Sequence, residues 1–261
     1  MKQKRCIIIG GGISGLIAAH KLQEEGFRVT VLDKGRGIGG RLATRRIKDE
    51  QFGEGVFDYG AQFFTARDPS FLLWVNRWLE QRIIQKWSDG FLTDENKLRN
   101  TGEARYRGVV SNRDIAKQLA LDLDVHTSTR VIRIEWEKNQ WKIITEGNQF
   151  FQSDLLMMTP PVPQTLELLS ATNIELSKSV KTRLENVSYH CCIALLLLLK
   201  AKSGIPEPGG IWLDGEPISW MADNTVKGIS SDGHAVTIHT GHQFSLENWD
   251  AENELILNKI R

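Results

Sequence analysis

The 261-residue sequence holds only three cysteines, Cys6 alone and the adjacent pair Cys191 and Cys192. Neighbouring cysteines make a poor disulfide framework, and no Cys-x-x-Cys spacing offers a structural metal site. A reducing, cytoplasmic compartment is the expectation. The six histidines show no metal spacing either. His239 and His242 fall at a predicted strand end near Gly241, so they share no helical face, and no metal is expected. A charge surplus is also missing: 33 basic against 32 acidic side chains leave a net charge of +1. That excludes the basic footprint of nucleic-acid binding and the polybasic block of a lipid-surface protein. Long apolar runs are absent as well. The longest after the N-terminus, Cys191 to Leu199, is far short of the roughly 20 residues a membrane helix needs, and reads as a strand buried on both faces. No serine nucleophile elbow or triad spacing stands out. No repeat or low-complexity linker separates the chain into successive domains.

What is present begins at "KRCIIIGGGISGLIAAHKLQEEGFRVTVLDKG", residues 4 to 35. A secretory signal would need a continuous apolar core before its cleavage site. Here Ile7, Ile8 and Ile9 are interrupted by three glycines. Ile13, Leu16, Ile17, Ala19 and Leu22 then recur at helical spacing up to Gly26, and the β-branched stretch "FRVTVLD" follows. The pattern predicts strand, glycine turn, helix and strand, a βαβ unit. Gly10, Gly12 and Gly15 fit G-x-G-x-x-G: the first for a tight turn, the second for backbone approach to a pyrophosphate, the third for close helix–strand packing. The helix N-terminus near Ser14 aims unpaired N–H groups at an anion. Asp33, at the end of the second strand, is placed to accept hydrogen bonds from an adenosine ribose. Lys34 beside it could suit a 2′-phosphate, which Asp33 would repel, so an unphosphorylated ribose is preferred. The βαβ context selects dinucleotide binding over a plain glycine-rich turn.

The next residues bear on which dinucleotide. "DKGRGIGGRLATRR" sets Gly39, Gly40 and Arg41 just past the second strand, where an NAD-binding unit would run directly into its next helix. A glycine pair and a cation there can pack against the phosphate loop. Farther on, "FDYGAQFFTARD" places the small Gly60 and Ala61 beside Gln62, which offers both a donor and an acceptor. Taken alone, Gln62 reads as an ordinary polar loop residue.

Together, "IIIGGGISGLIAAHKL", "LDKGRGIGGRLATRR" and "DYGAQFFTARD" resemble the renalase-like FAD-dependent oxidoreductases of the flavin amine oxidase superfamily. Weaker matches, "WKIITE", "MMTPPVPQTLELL", "VSYHCCIALLLLL", "PISWMADNTVKG" and "VTIHTG", carry the resemblance along the chain. It implies an α/β fold: a Rossmann-like FAD domain of glutathione-reductase type with a smaller mixed-sheet substrate domain. The expected division gives 1–64, 107–162 and 236–261 to a discontinuous FAD domain, and 65–106 and 163–235 to the substrate. The cofactor implied is non-covalent FAD. Gly10, Gly12, Ser14, Gly15, Asp33 and Lys34 would serve its phosphates and adenosine, and Gly40 and Arg41 its pyrophosphate. Gly60, Ala61 and Gln62 would approach the isoalloxazine, the Val131 backbone would read the adenine, and Thr159 would close over the cofactor. Gln62, Phe63, Thr65, Trp220 and His239 are the substrate-pocket candidates; His239 also reads as a structural histidine.

The family's chemistry implies oxidation of 2- and 6-dihydro isomers of NAD(P), with oxygen as acceptor and hydrogen peroxide as product. Flavin amine oxidation, or a nucleotide-binding remnant without turnover, are the alternatives. Family members extend further, with a Gly-Asp pair and a helix that meet the flavin. Their absence here gives the expectation of an incomplete C-terminal part.

The remaining stretches carry packing signals. "DPSFLLWVNRWLEQRIIQKW" predicts a helix opened by a proline, with Phe71, Trp74, Val75, Trp78 and Leu79 inward and Ile83 and Trp87 extending the stripe. Ser111 and Asp114 form a capping-box variant. Leu246, Trp249, Leu255, Ile256 and Ile260 predict an amphipathic helix.

Overall fold

The computed structural model describes residues 3–172 and 174–260. The chain divides into two compact units, Met1–Arg41 with Ala116–Ser188, and Leu42–Ile115 with Tyr189–Arg261.

The first unit is built on a four-stranded parallel sheet. Its order is Leu155–Met158, Arg5–Ile9, Arg28–Leu32 and Asp124–His126. Residues of the first strand alternate between its two faces. Cys6 and Ile8 pack with Ala19 of the helix Ile13–Glu24 and with Val29 and Val31. Ile7 and Ile9 pack on the other face with Leu32, Val131, Ile134 and Ile143. The last three come from an antiparallel three-stranded sheet, Val131–Glu137, Gln140–Thr145 and Phe150–Ser153. A central parallel strand covered on both faces explains the run of isoleucines. Positive φ at Asn139 and Asn148 serves the tight turns between these strands, a conformation asparagine tolerates.

The second unit is a six-stranded mixed sheet in the order Ala194–Leu199, His234–Thr240, Ile218–Asp223, Gly210–Trp212, Ile84–Thr93 and Leu98–Gly108. Only the Gly210–Trp212 and Ile84–Thr93 pair runs parallel. A hairpin, Thr44–Asp49 with Gly53–Asp58, completes it. The α/β class, with a parallel Rossmann-like sheet and a mixed sheet, is what the sequence led one to expect.

Three local expectations are corrected. The run Cys191–Leu199 forms a strand only from Ala194, and it lies at the sheet edge. Of that strand only Leu195 is buried, because an edge strand has one side open. The tryptophan helix spans Pro69–Glu80 and ends there, capped by Asp68, which accepts from the Ser70 and Phe71 N–H groups. Trp87 sits on the following strand instead. The apolar stretch after Gly241 is two short helices, His242–Glu247 and Asn253–Ile260, with Leu246, Trp249 and Leu255 exposed. No helix among the described residues is long and apolar enough to cross a membrane.

Candidate functional site

In the first unit the glycine turn lies at the C-terminal ends of the parallel strands, where open α/β sheets bind ligands. Gly10 has φ +107°, a conformation other residues rarely adopt. A Cβ at Gly15 would stand 2.0 Å from the Gly10 carbonyl oxygen, so the helix can lie this close only on glycine. Gly12 is the helix N-cap and supplies no side-chain cap, which leaves the first-turn N–H groups, beside the exposed Ser14, open to an anion. A Cβ at Gly12 would meet no atom within 4 Å. The Cβ side of Gly12 is therefore an open backbone cradle.

The second glycine segment docks on the first. The Gly39 N–H donates to Gly11 O at 2.9 Å, and Gly39 forms a parallel bridge with Gly12. Gly40, with φ +53°, approaches the Gly12 Cα. Arg41 follows, exposed. Asp33 is engaged by the same turn: Oδ2 accepts from Gly11 N–H and Oδ1 from Gly35 N–H, both at 2.6 Å. A carboxylate has about four acceptor sites, so two bonds leave room for a ribose. Lys34 reaches Gln164 Oε1 at 3.0 Å. Thr159 clasps the turn, its hydroxyl within 3.0 Å of Ile9 O and 3.1 Å of Gly10 O. Val131 is a core residue, 8% exposed, paired with Thr145. Asp33, Thr159, Gly10, Gly12, Gly15 and Gly40 thus meet at one turn, while Lys34 reaches Gln164 and Val131 lies in the core beneath. A surface hollow of about 560 Å³, lined by Gln3, Gln23, Phe27, Arg28, Val29, Asp122 and Asp124, opens near the start of the second strand and holds none of them.

The remaining candidates belong to the second unit. Gly60, Ala61 and Gln62 form a short segment after the strand Gly53–Asp58. His239 Nε2–H donates to Tyr59 O at 2.9 Å. Burial, and secondarily the positive charge of Lys227, holds the His239 imidazole below the ordinary histidine range despite that bond. Phe63 and Trp220 sit in an aromatic cluster with Trp87, Phe91 and Trp212; Phe63 and Trp220 centroids are 5.9 Å apart. Trp220 is 3% exposed, which makes it a core side chain before anything else. Thr65 is half-buried and follows the bridge between Phe64 and Tyr106.

Two further residues of this unit, Asp58 and Lys227, form a buried ion pair. Both side chains are fully buried, with Nζ 2.9 Å from Asp58 Oδ2 and 2.8 Å from Gln62 O. Burial lowers the Lys227 pKa, and Asp58 opposes that shift. Nothing local marks either residue. Lysine is almost never fully buried, and its partner lies 169 positions away.

Residues 8–78 match the NAD(P)-binding Rossmann-like domain family. Over those residues the chain is similar to a dinucleotide-binding Rossmann domain. It is also similar to renalase from Mus musculus, 30% identical over 126 residues. That match takes in 46% of this chain and 37% of renalase, so it spans well under half of that protein's length. Among solved structures, putrescine oxidase bound to putrescine superposes with a TM-score of 0.70, covering 98% of this chain and 79% of the oxidase at 12% identity. A protein described as a protoporphyrinogen oxidase, from Exiguobacterium sp. 255-15, gives a TM-score of 0.73 over 99% of this chain and 81% of its own, at 14% identity. The Rossmann domain and the mixed sheet therefore share the fold of these oxidases.

Proposed function

We propose that the protein is a non-covalent FAD-dependent oxidoreductase of renalase type. The observation that carries this reading is the double glycine turn: Gly10–Gly15 and Gly39–Gly40 locked together over an open cradle at Gly12. A single glycine turn would suit any dinucleotide. The second segment, with Arg41 after it, adds a cation and backbone to the pyrophosphate side, which favours FAD. Asp33 would accept the ribose hydroxyls, Lys34 and Ser14 would flank the phosphates, and Thr159 would keep the turn closed. The Val131 main chain would meet the adenine. Gly60, Ala61 and Gln62 are assigned to the ring, with Gln62, Phe63, Thr65, Trp220 and His239 toward substrate. In this reading 1–64, 107–162 and 236–261 serve the cofactor and 65–106 and 163–235 the substrate, an assignment that follows ligands and cuts across the two compact units.

FAD supplies hydride acceptance and reoxidation by oxygen when bound. The chain's own part is to bind, orient and exclude water. The proposed substrates are the 2- and 6-dihydro isomers of NAD(P), already good hydride donors that need orientation more than a strong base. His239, neutral near pH 7 and fixed by Tyr59 O as the Nε2–H tautomer, can hold a proton without adding charge. Amine oxidation is the second reading, favoured by the likeness in fold to putrescine oxidase. An absorbance spectrum of the purified chain with and without added FAD tests the cofactor. Anaerobic mixing with the dihydronicotinamide isomers and with an amine panel then separates the readings. Flavin bleached by amines alone would replace the first with the second, and a chain that takes up no FAD would sink both.

A further inference from the structure

From Asp58 to Gln62 every main-chain carbonyl is taken by a side chain. Thr237 Oγ1 donates to Asp58 O at 3.1 Å and His239 Nε2 to Tyr59 O at 2.9 Å. Gln62 Nε2 donates to Asp58 O and, at 3.4 Å, to Gly60 O. Asn112 Nδ2 reaches Ala61 O at 2.6 Å, and Lys227 Nζ reaches Gln62 O at 2.8 Å. Connecting segments ordinarily leave such groups to water. Here the donors are gathered from positions far apart in the chain.

The buried ion pair is the centre of this arrangement. Asp58 Oδ1 accepts from the Thr44 hydroxyl and the Asn112 N–H, and Oδ2 from Lys227. The ammonium also lies 4.6 Å from the centroid of the Trp87 ring. Burying two charges is costly, and an apolar pair of similar volume is often as stable or more so. Stability alone therefore gives no reason for Lys227. What an apolar residue could not do is hold the Gln62 carbonyl. A second, separate observation concerns the same residue: Gln62 is 6% exposed and its Oε1 has no partner among the described residues. Its Nε2 is fixed by the Asp58 carbonyl, so turning the amide over would set oxygen against oxygen. A buried acceptor left open costs free energy until a donor reaches it.

We propose that Lys227, with Asp58, is a positioning residue. It holds the carbonyls of the 58–62 segment within the protein and presents Gln62 Oε1 as the acceptor for an N–H or O–H donor of the bound ligand. Lys227 acts through Gln62.

The test compares the unmodified protein with D58N/K227M, which removes both charges together and so strands neither. Hydrogen exchange is read without cofactor at the amides of Tyr59, Gly60 and Phe64, whose N–H groups bond to Ala43 O and Tyr106 O. In the double variant these amides exchange about tenfold faster, the loss of one buried hydrogen bond, while the strands Ile218–Asp223 and His234–Thr240 are unchanged. K227R, which keeps the charge and the donors, recovers most of the protection. The dissociation constant for FAD weakens by about tenfold in the double variant. That affinity measurement rests on the function proposed above, and the exchange measurement does not. A protein that binds no FAD would remove the cofactor reading and leave the exchange result to decide on Lys227. Unchanged exchange, or a uniform rise through the unit, would overturn the proposal. If the double variant does not fold, the unmodified protein decides: Tyr59, Gly60 and Phe64 should exchange as slowly as the strand Gly53–Asp58, and rapid exchange there overturns it.

Discussion

The glycine turn of the first unit and the Asp58–Gln62 segment of the second are both short and irregular, yet they are held by opposite means. The glycine turn is held by backbone: Gly10, Gly11, Gly15 and Gly39 touch one another's main chain, with Asp33 and Thr159 as clasps. The Asp58–Gln62 segment is held by side chains, from Asn112, Lys227, Thr237 and His239. Backbone contacts of the first kind need small residues at fixed spacing, which a motif records. Side-chain contacts of the second kind need only that distant residues arrive together.

The largest effect is expected at Lys227. K227M alone leaves Asp58 buried and uncompensated, and should destabilise the protein by about 3–5 kcal/mol, read as a lower urea midpoint. The double variant D58N/K227M should regain most of that loss. On the other side, G15A drives a methyl to within 2.0 Å of the Gly10 oxygen. It should cost about 3 kcal/mol and abolish dinucleotide uptake, measured by titration with FAD. Unchanged stability in G15A would mean that the helix shifts away freely, contrary to a backbone-locked turn.

D33A acts at the clasp. Losing charge-assisted bonds should weaken FAD binding by about 1.5–3 kcal/mol, roughly 10- to 150-fold. Because Asp33 already holds Gly11 and Gly35, the same variant should also lower thermal stability in the absence of FAD. An affinity loss without a stability loss would show that the ribose is the only partner that matters.

The smallest effect concerns His239. Its folded pKa lies below the unfolded value near 6.5. The unfolded chain therefore binds the proton more readily, and stability falls as pH drops from about 6.5 through the lower folded value. H239Q should flatten that part of the stability–pH curve. A slope unchanged from the parent protein would assign it to other groups.

Much of this was legible in the chain itself. The strand–turn–helix–strand reading of residues 4 to 35 and the small residues at Gly10, Gly12 and Gly15 appear where their spacing predicts, whereas Ser111 and Asp114 bond to each other through their side chains. Each depends on neighbours a few residues away. The readings that failed depended on what lay alongside. Cys191–Leu199 is apolar enough for a central strand, but its place at the sheet edge leaves one side open. Ile83 and Trp87 continue a helical spacing, yet the chain turns at Arg82, with φ 55°, and pairs as a strand.

The dinucleotide turn can be read from the chain alone, because steric exclusion of a Cβ is a property of one position and its immediate neighbours. The meeting of Lys227 with Asp58 and Gln62 arises from the packed fold. A charged side chain accepts burial when partners converge on it from elsewhere in the fold, and no local pattern encodes that convergence.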